Sequence, residues 1–258
     1  MRAPDTPVAL TIAGSDSGGE AGLQADLKTF ASLKVHGACA ITCVTAQNRQ
    51  SVTRLEPCSP RMVRAQLEAV AAGCPPSAAK TGMLFSAAIV REVAAFLNRS
   101  RALPLVVDPV IVSTSGRRLL QPAGLAALQR DLLPLAALVT PNVMEAEVLT
   151  GQKIVSAQDL RAAAAAIHRK FGCAALVKGG HLAGTTEAVD FLCSDQGEWM
   201  FSAPRARGSA LHGTGCVYSA AITAWLARGR TLQAAVRLAK DHITRAIFAA
   251  MPTPISER

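Results

Sequence analysis

The sequence predicts an α/β protein: a central, mostly parallel sheet with helices on both faces, forming one domain over residues 1–258 with a small β-hairpin. Three observations carry this prediction. Short β-branched runs alternate with stretches whose apolar residues recur at helical spacing. Half of the residues are hydrophobic but only 4% are aromatic, so the core must come from Ala, Leu, Val and Ile, a composition suited to helices packed on a buried aliphatic sheet. No Pro/Ser linker, low-complexity block or fixed-period repeat divides the chain, although residues 161–166 are rich in alanine.

VALTIAG (8–14) is a β-rich run that ends in glycine, and Leu23, Leu27, Phe30 and Ala31 then mark a helix. ACAITCVTAQ (38–47) is the next strand, followed by a helix at 60–73 and a strand at 78–84. Residues 86–100 predict a helix and LPLVVDPVIV (103–112) a strand. Pro122 opens a helix over 122–136, and ALVTPN (137–142) is a strand stopped by proline. Ser156 with Asp159 forms a capping-box start for the helix that ends at Gly172. AALVKGG (174–180) is a buried strand, and residues 187–204 alternate around Asp195-Gln196-Gly197 as a hairpin. Two helices, 216–229 and 231–250, complete the chain.

The formal charge is +9, from 27 Lys+Arg against 18 Asp+Glu. The basic residues are scattered and aromatics are few, which argues against nucleic acid and favours phosphorylated small molecules. No uninterrupted apolar stretch reaches ~18 residues, so no membrane span is expected. Seven cysteines form no CxxC pair, and the N-terminus has no secretory apolar core. The expectation is a reduced, cytoplasmic protein.

In such a sheet, ligands bind beyond the carboxyl ends of the strands, and several noteworthy residues fall there. Gly213-Thr214-Gly215-Cys216 precedes a helix; two glycines and a helix N-terminus can form an anion hole, or simply a tight turn. Asn142 and Glu145, three apart, are either a helix cap with its first-turn acid or holders of a hydrated Mg²⁺. Lys178 ends a strand before two glycines, where it is either solvated or within reach of a phosphate. Asp108 lies inside VVDPV, where a carboxylate needs a partner or a function. GSDSGGEAG (14–22) matches neither GxGxxG nor GxxxxGK[ST].

In their order, IAGSDSGGEAGLQADLKTF, VTAQN, TGML, VVDPVIVSTSG, TPNVMEAEVLTG, LVKGGH, FSAP, HGTGC and AKDHITRAI resemble the hydroxymethylpyrimidine/phosphomethylpyrimidine kinases of thiamine biosynthesis, members of the ribokinase-like superfamily. The likeness covers residues 8–250. It implies a ribokinase-like fold, a homodimer, and phosphorylation of 4-amino-5-hydroxymethyl-2-methylpyrimidine and then of its monophosphate, with ATP and Mg²⁺. By the same resemblance Gly14, Ala21, Asp26, Gln47 and Met83 contact the pyrimidine. Asn142 and Glu145 organise Mg²⁺ through water; Lys178 and Thr214 serve the nucleotide phosphates. The Gly213, Thr214, Gly215 and Cys216 amides hold the transferring group, with Lys178 neutralising charge. Cys216 stands where most of the superfamily carries Asp. Either it accepts the proton, its thiol lowered by the helix terminus and nearby cations, or it is a small occupant of the site.

Two features depart from that pattern. Glu20 replaces a glycine or serine before Ala21, a negative charge that would hinder a phosphorylated substrate if it pointed inward. ARGSAL (206–211) differs from a more polar segment on the nucleotide side. Pyridoxal kinase, whose substrate is also a flat heteroaromatic with a hydroxymethyl group, is the alternative enzyme. A non-catalytic pyrimidine sensor is the alternative of another class.

Overall fold

The computed structural model describes residues 6–48, 50–100, 102–113, 116–180, 182, 186–205 and 213–250. In chain order the elements are β1 (Val8–Asp16), α1 (Gly22–Ser32), β2 (His36–Gln47), β3 (Val52–Pro57), α2 (Pro60–Gly73), β4 (Ala78–Thr81), α3 (Ala87–Leu97), β5 (Leu105–Val107), α4 (Pro122–Ala127), β6 (Leu138–Val139), α5 (Val143–Thr150), α6 (Ala157–Phe171), β7 (Ala174–Lys178), β8 (Glu187–Ser194), β9 (Gly197–Pro204), α7 (Thr214–Ala227) and α8 (Leu232–Ala249). Nine strands make one sheet in the order β3-β2-β1-β4-β5-β6-β7-β8-β9. The run from β2 to β7 is parallel; β3 at one edge and β8 and β9 at the other are antiparallel.

Side chains of a strand alternate between the faces of the sheet. Leu105 and Val107 pack into the core under α2 to α6, whereas Val106, Leu138 and Leu176 pack under α7 and α8. Phe30 of α1 joins Ala220 and Ala224 of α7 on that second face. The alanines let α7 approach the sheet closely, as the low aromatic content required.

Four local expectations differ from the structure. The strand foreseen over 103–112 ends at Val107: Pro109 has no N–H to give to a ladder, and Val110 follows at φ 42°, an outlier for a β-branched residue. The helix foreseen over 122–136 is regular only to Ala127 and continues as a wider turn to Leu132 and a tighter one to Leu135. Pro134 explains the break, because it removes a helical N–H and its ring opposes the carbonyl four residues earlier. The 137–142 strand shortens to Leu138–Val139. Strand β3 was not foreseen; Thr53, Arg54 and Glu56 give it a polar composition suited to a sheet edge. The foreseen hairpin is β8–β9, and it extends the main sheet through β7.

Candidate active site

The carboxyl ends of the parallel strands open into a cavity of about 300 Å³. Its floor is assembled first from β1 and the loop after it. The buried Asp16 carboxylate accepts the N–H groups of Gly18, Glu20 and Ala21 at 2.8, 3.0 and 2.8 Å, which folds residues 17–21 back over the strand end. That loop rests on the first turn of α7. Gly213 caps the helix at φ 81°, and a Cβ there would lie 2.0 Å from the Glu20 carbonyl oxygen. Gly22, at φ 54°, would place one 2.3 Å from the Gly14 carbonyl oxygen. Only glycine satisfies both the dihedral and the approach at these two positions.

One end of the cavity is apolar. Gly14, Gln47, Met83, Val110 and Leu119 line it, with the Met83 methyl 3.2 Å from where a Gly14 Cβ would stand. At the middle stand Ala21 and the α7 turn of Gly213, Thr214, Gly215 and Cys216. Lys178 comes beside that turn, its ammonium 3.5 Å from where a Gly215 Cβ would be. The opposite end is lined by Gly180, Ala188, Asp190, Tyr218, Lys240 and Ile243.

Charged side chains gather at the carboxyl ends of the strands from β5 to β7. Lys178 Nζ is 3.3 Å from Asp108 Oδ1, and the Ser219 hydroxyl of α7 donates to Asp108 Oδ2 at 3.0 Å. Burial would pull Lys178 down, but Asp108 and Glu145 outweigh it and hold the ammonium above its ordinary value. Glu145 is buried and closes a full capping box: its own N–H donates to Asn142 Oδ1, and its carboxylate accepts the N–H groups of Asn142 and Ile111 at 3.0 and 3.2 Å. Burial first, then the Asp108 carboxylate, push Glu145 up to about 7. Helix capping is therefore realised at this pair, and both residues also line the cavity.

Two expectations are corrected here. Asp26 does not line the cavity. It is fully buried behind Lys80, whose ammonium it meets at 2.8 Å, with the Thr11 hydroxyl donating to it at 2.6 Å. A carboxylate without access to water is placed with its cation, and Lys80 is the residue of that pair that lines the cavity. Burial would lower the Lys80 ammonium, but Asp26, then Cys216 and Asp108, raise it overall. The second correction concerns Cys216. Burial pushes its thiol up to about 11, against the downward pull of Lys80 and of the Gly22 N–H. A lowered, thiolate-forming cysteine is not what this environment makes.

Glu20 is half-buried and is not among the residues lining the cavity. ARGSAL (206–211) and His212 lie outside the described residues. Lys80, Asp190 and Lys240 escaped sequence reasoning, although a usable signal was present. Each is a charge at an inward position of an apolar pattern, the argument that did single out Asp108.

The family model of phosphomethylpyrimidine kinase matches residues 16–254. A hydroxymethylpyrimidine/phosphomethylpyrimidine kinase of Synechococcus elongatus is 46% identical over 241 residues, covering 93% of this chain and 91% of that one. Among solved structures, the phosphomethylpyrimidine kinase of Clostridium difficile 630 is similar with a TM-score of 0.83 at 40% identity, covering 94% of this chain and all of the other. The ADP complex of Bacillus subtilis pyridoxal kinase is similar with a TM-score of 0.88 at 36% identity, covering 96% and 94%.

Proposed function

Because the chain belongs to the phosphomethylpyrimidine kinase family, we propose that its cavity transfers the γ-phosphoryl group of ATP to 4-amino-5-hydroxymethyl-2-methylpyrimidine, and then to the resulting monophosphate, as a step of thiamine biosynthesis. The observation that carries this reading is the position of the α7 turn. It stands between an end lined by Gly14, Gln47, Met83 and Leu119 and a second end beside Lys178, so an acceptor hydroxyl and a phosphate chain can meet at its amides.

In this reading Gln47 and Met83 hold the pyrimidine, with Gly14 and Ala21 giving it close backbone approach. The N–H groups of the Gly213–Cys216 turn receive the transferring phosphoryl oxygens, and their fixed orientation needs no reorganisation as charge moves. Lys178 places a half-buried positive charge beside that turn. Phosphoryl transfer passes through a loose transition state and asks little of a base, so a neutral Cys216 thiol fits as a small side chain that leaves room for the reacting group.

The donor set suits Mg²⁺. Asp108 and Glu145 put two buried carboxylates beside one ammonium, and the surplus negative charge is part of what lifts Glu145. Mg²⁺ keeps much of its water and needs few direct protein ligands. Asn142, Glu145 and Asp108 would hold a hydrated Mg²⁺, which would neutralise phosphate charge. Glu20, outside the cavity lining, gives no reason for the second phosphorylation to fail.

Among the described residues no helix is long and apolar enough to cross a membrane. A cytoplasmic homodimer completes the proposal, on the family resemblance. The test is the product formed by purified protein with ATP, Mg²⁺ and hydroxymethylpyrimidine, resolved as mono- or pyrophosphate. Pyrophosphate is expected. The likeness to pyridoxal kinase supports a second reading, and much faster turnover of pyridoxal in a parallel assay would overturn the substrate assignment.

A further inference from the structure

Three polar side chains at the far end of the cavity take no part in the chemistry above. Asp190 of β8, Lys240 of α8 and Tyr218 of α7 are 2%, 7% and 5% exposed. Lys240 Nζ donates to Asp190 Oδ2 at 2.7 Å and to the Ala188 carbonyl at 2.9 Å, with the Tyr218 ring centred 6.0 Å away. The other oxygen of Asp190 accepts the Gly179 N–H at 3.1 Å, sharing it with the Val189 carbonyl at 2.9 Å. A buried ion pair of this kind is weak evidence for stability, because desolvation offsets most of the attraction. Its position is more informative. Gly179 directly follows Lys178, which is the cross-strand partner of Asp190. Gly179 is also packed without slack: a Cβ there would lie 2.3 Å from both the Val189 carbonyl oxygen and a Leu160 methyl. Lys240 thus ties α8 to β8, whose Asp190 in turn accepts from the turn that carries Lys178 and Gly180.

We propose that Lys240 is a positioning residue for the nucleotide: through Asp190 and the Gly179 N–H it fixes the Lys178–Gly180 backbone at the phosphate end of the cavity, without itself serving the reacting atoms. The inference rests on the kinase reading, and it predicts a defect confined to one substrate. Loss of the tie lets the turn shift, which weakens the hold on ATP, while the pyrimidine end, built from β1, β2 and β4, is untouched.

The experiment compares steady-state kinetics and melting midpoints of the unsubstituted chain, Lys240→Met, and the double variant Asp190→Val/Lys240→Met. The double variant leaves no unpaired buried charge and should melt close to the unsubstituted chain. The expected result is a KM for ATP raised about tenfold or more in both variants, with the KM for hydroxymethylpyrimidine within about twofold. Should Lys240→Met fail to fold, the double variant decides. A double variant that folds with an unchanged KM for ATP overturns the proposal, and so does an equal rise in both KM values. Failure of the unsubstituted chain to phosphorylate the pyrimidine would instead refute the kinase reading, so the two failures are distinguishable.

Discussion

Whether Cys216 ever acts as a thiolate can be measured directly. Its thiol is pushed from the ordinary 9.0 up to about 11 by burial, with Asp26 and Asp108 adding to the effect and Lys80 opposing it. At pH 7 about one molecule in 10⁴ would carry the thiolate, against roughly one in a hundred for an unperturbed thiol. The sign follows from the neutral form being favoured: raising the pH should increase thiolate about tenfold per unit through pH 9 and beyond, where an ordinary cysteine levels off. The assay is alkylation by iodoacetamide followed peptide by peptide over about pH 7 to 10, paired with turnover of Cys216→Ser. The Cys216 alkylation rate should still be climbing at pH 9.5. Turnover of the serine variant should stay within about tenfold, whereas removal of a working general base costs on the order of 10²–10⁴. An alkylation plateau below pH 9, together with a loss of that larger size, would refute the reasoning and restore the thiolate as proton acceptor.

Other substitutions separate the parts of the site. Gly213→Ala forces a Cβ against the Glu20 carbonyl at a positive φ; it should cost about 1–3 kcal/mol in urea unfolding and lower kcat roughly a hundredfold by displacing the amides. Asp26→Asn leaves the Lys80 ammonium buried without its counter-charge; a loss of about 3–5 kcal/mol is expected, and a change under 1 kcal/mol would show that the pair does not hold this region. Lys178→Met should lower kcat/KM for ATP by about two to three orders of magnitude, read in the same coupled assay, and a near-normal value would remove Lys178 from the phosphate end.

The order of strands and helices was legible because each element carries its own period: helical recurrence in α1, α2 and α8, alternation in β8 and β9, and caps at Asn142 and Ser156. The cavity residues at strand ends were legible for a related reason. Where an apolar run stops at a glycine or a polar residue, the chain is leaving the sheet on the side where ligands bind. Local pattern failed where a local feature competes with it. Pro134 broke a helix whose apolar spacing continued, and Pro109 ended a strand inside an unbroken apolar run. The polar edge strand β3 had no burial pattern to announce it.

The sequence alone determined an aliphatic α/β sheet protein with a glycine-flanked turn at the start of α7, with Asn142 and Lys178 at strand ends and Glu145 one helical turn beyond Asn142. Only the tertiary structure decided what stands beside what. It put Asp26 behind Lys80 instead of in the cavity, made Glu145 part of a helix cap and a buried carboxylate beside Asp108 at once, and set Lys240 against Asp190 across 50 residues of chain. It also set the surroundings that push the Cys216 thiol up, because a thiol's ionisation depends on the water it loses and the charges it gains. Those neighbours come from β4, from α1 and from the residue that follows β5, and no reading of the residues adjacent in the chain can supply them.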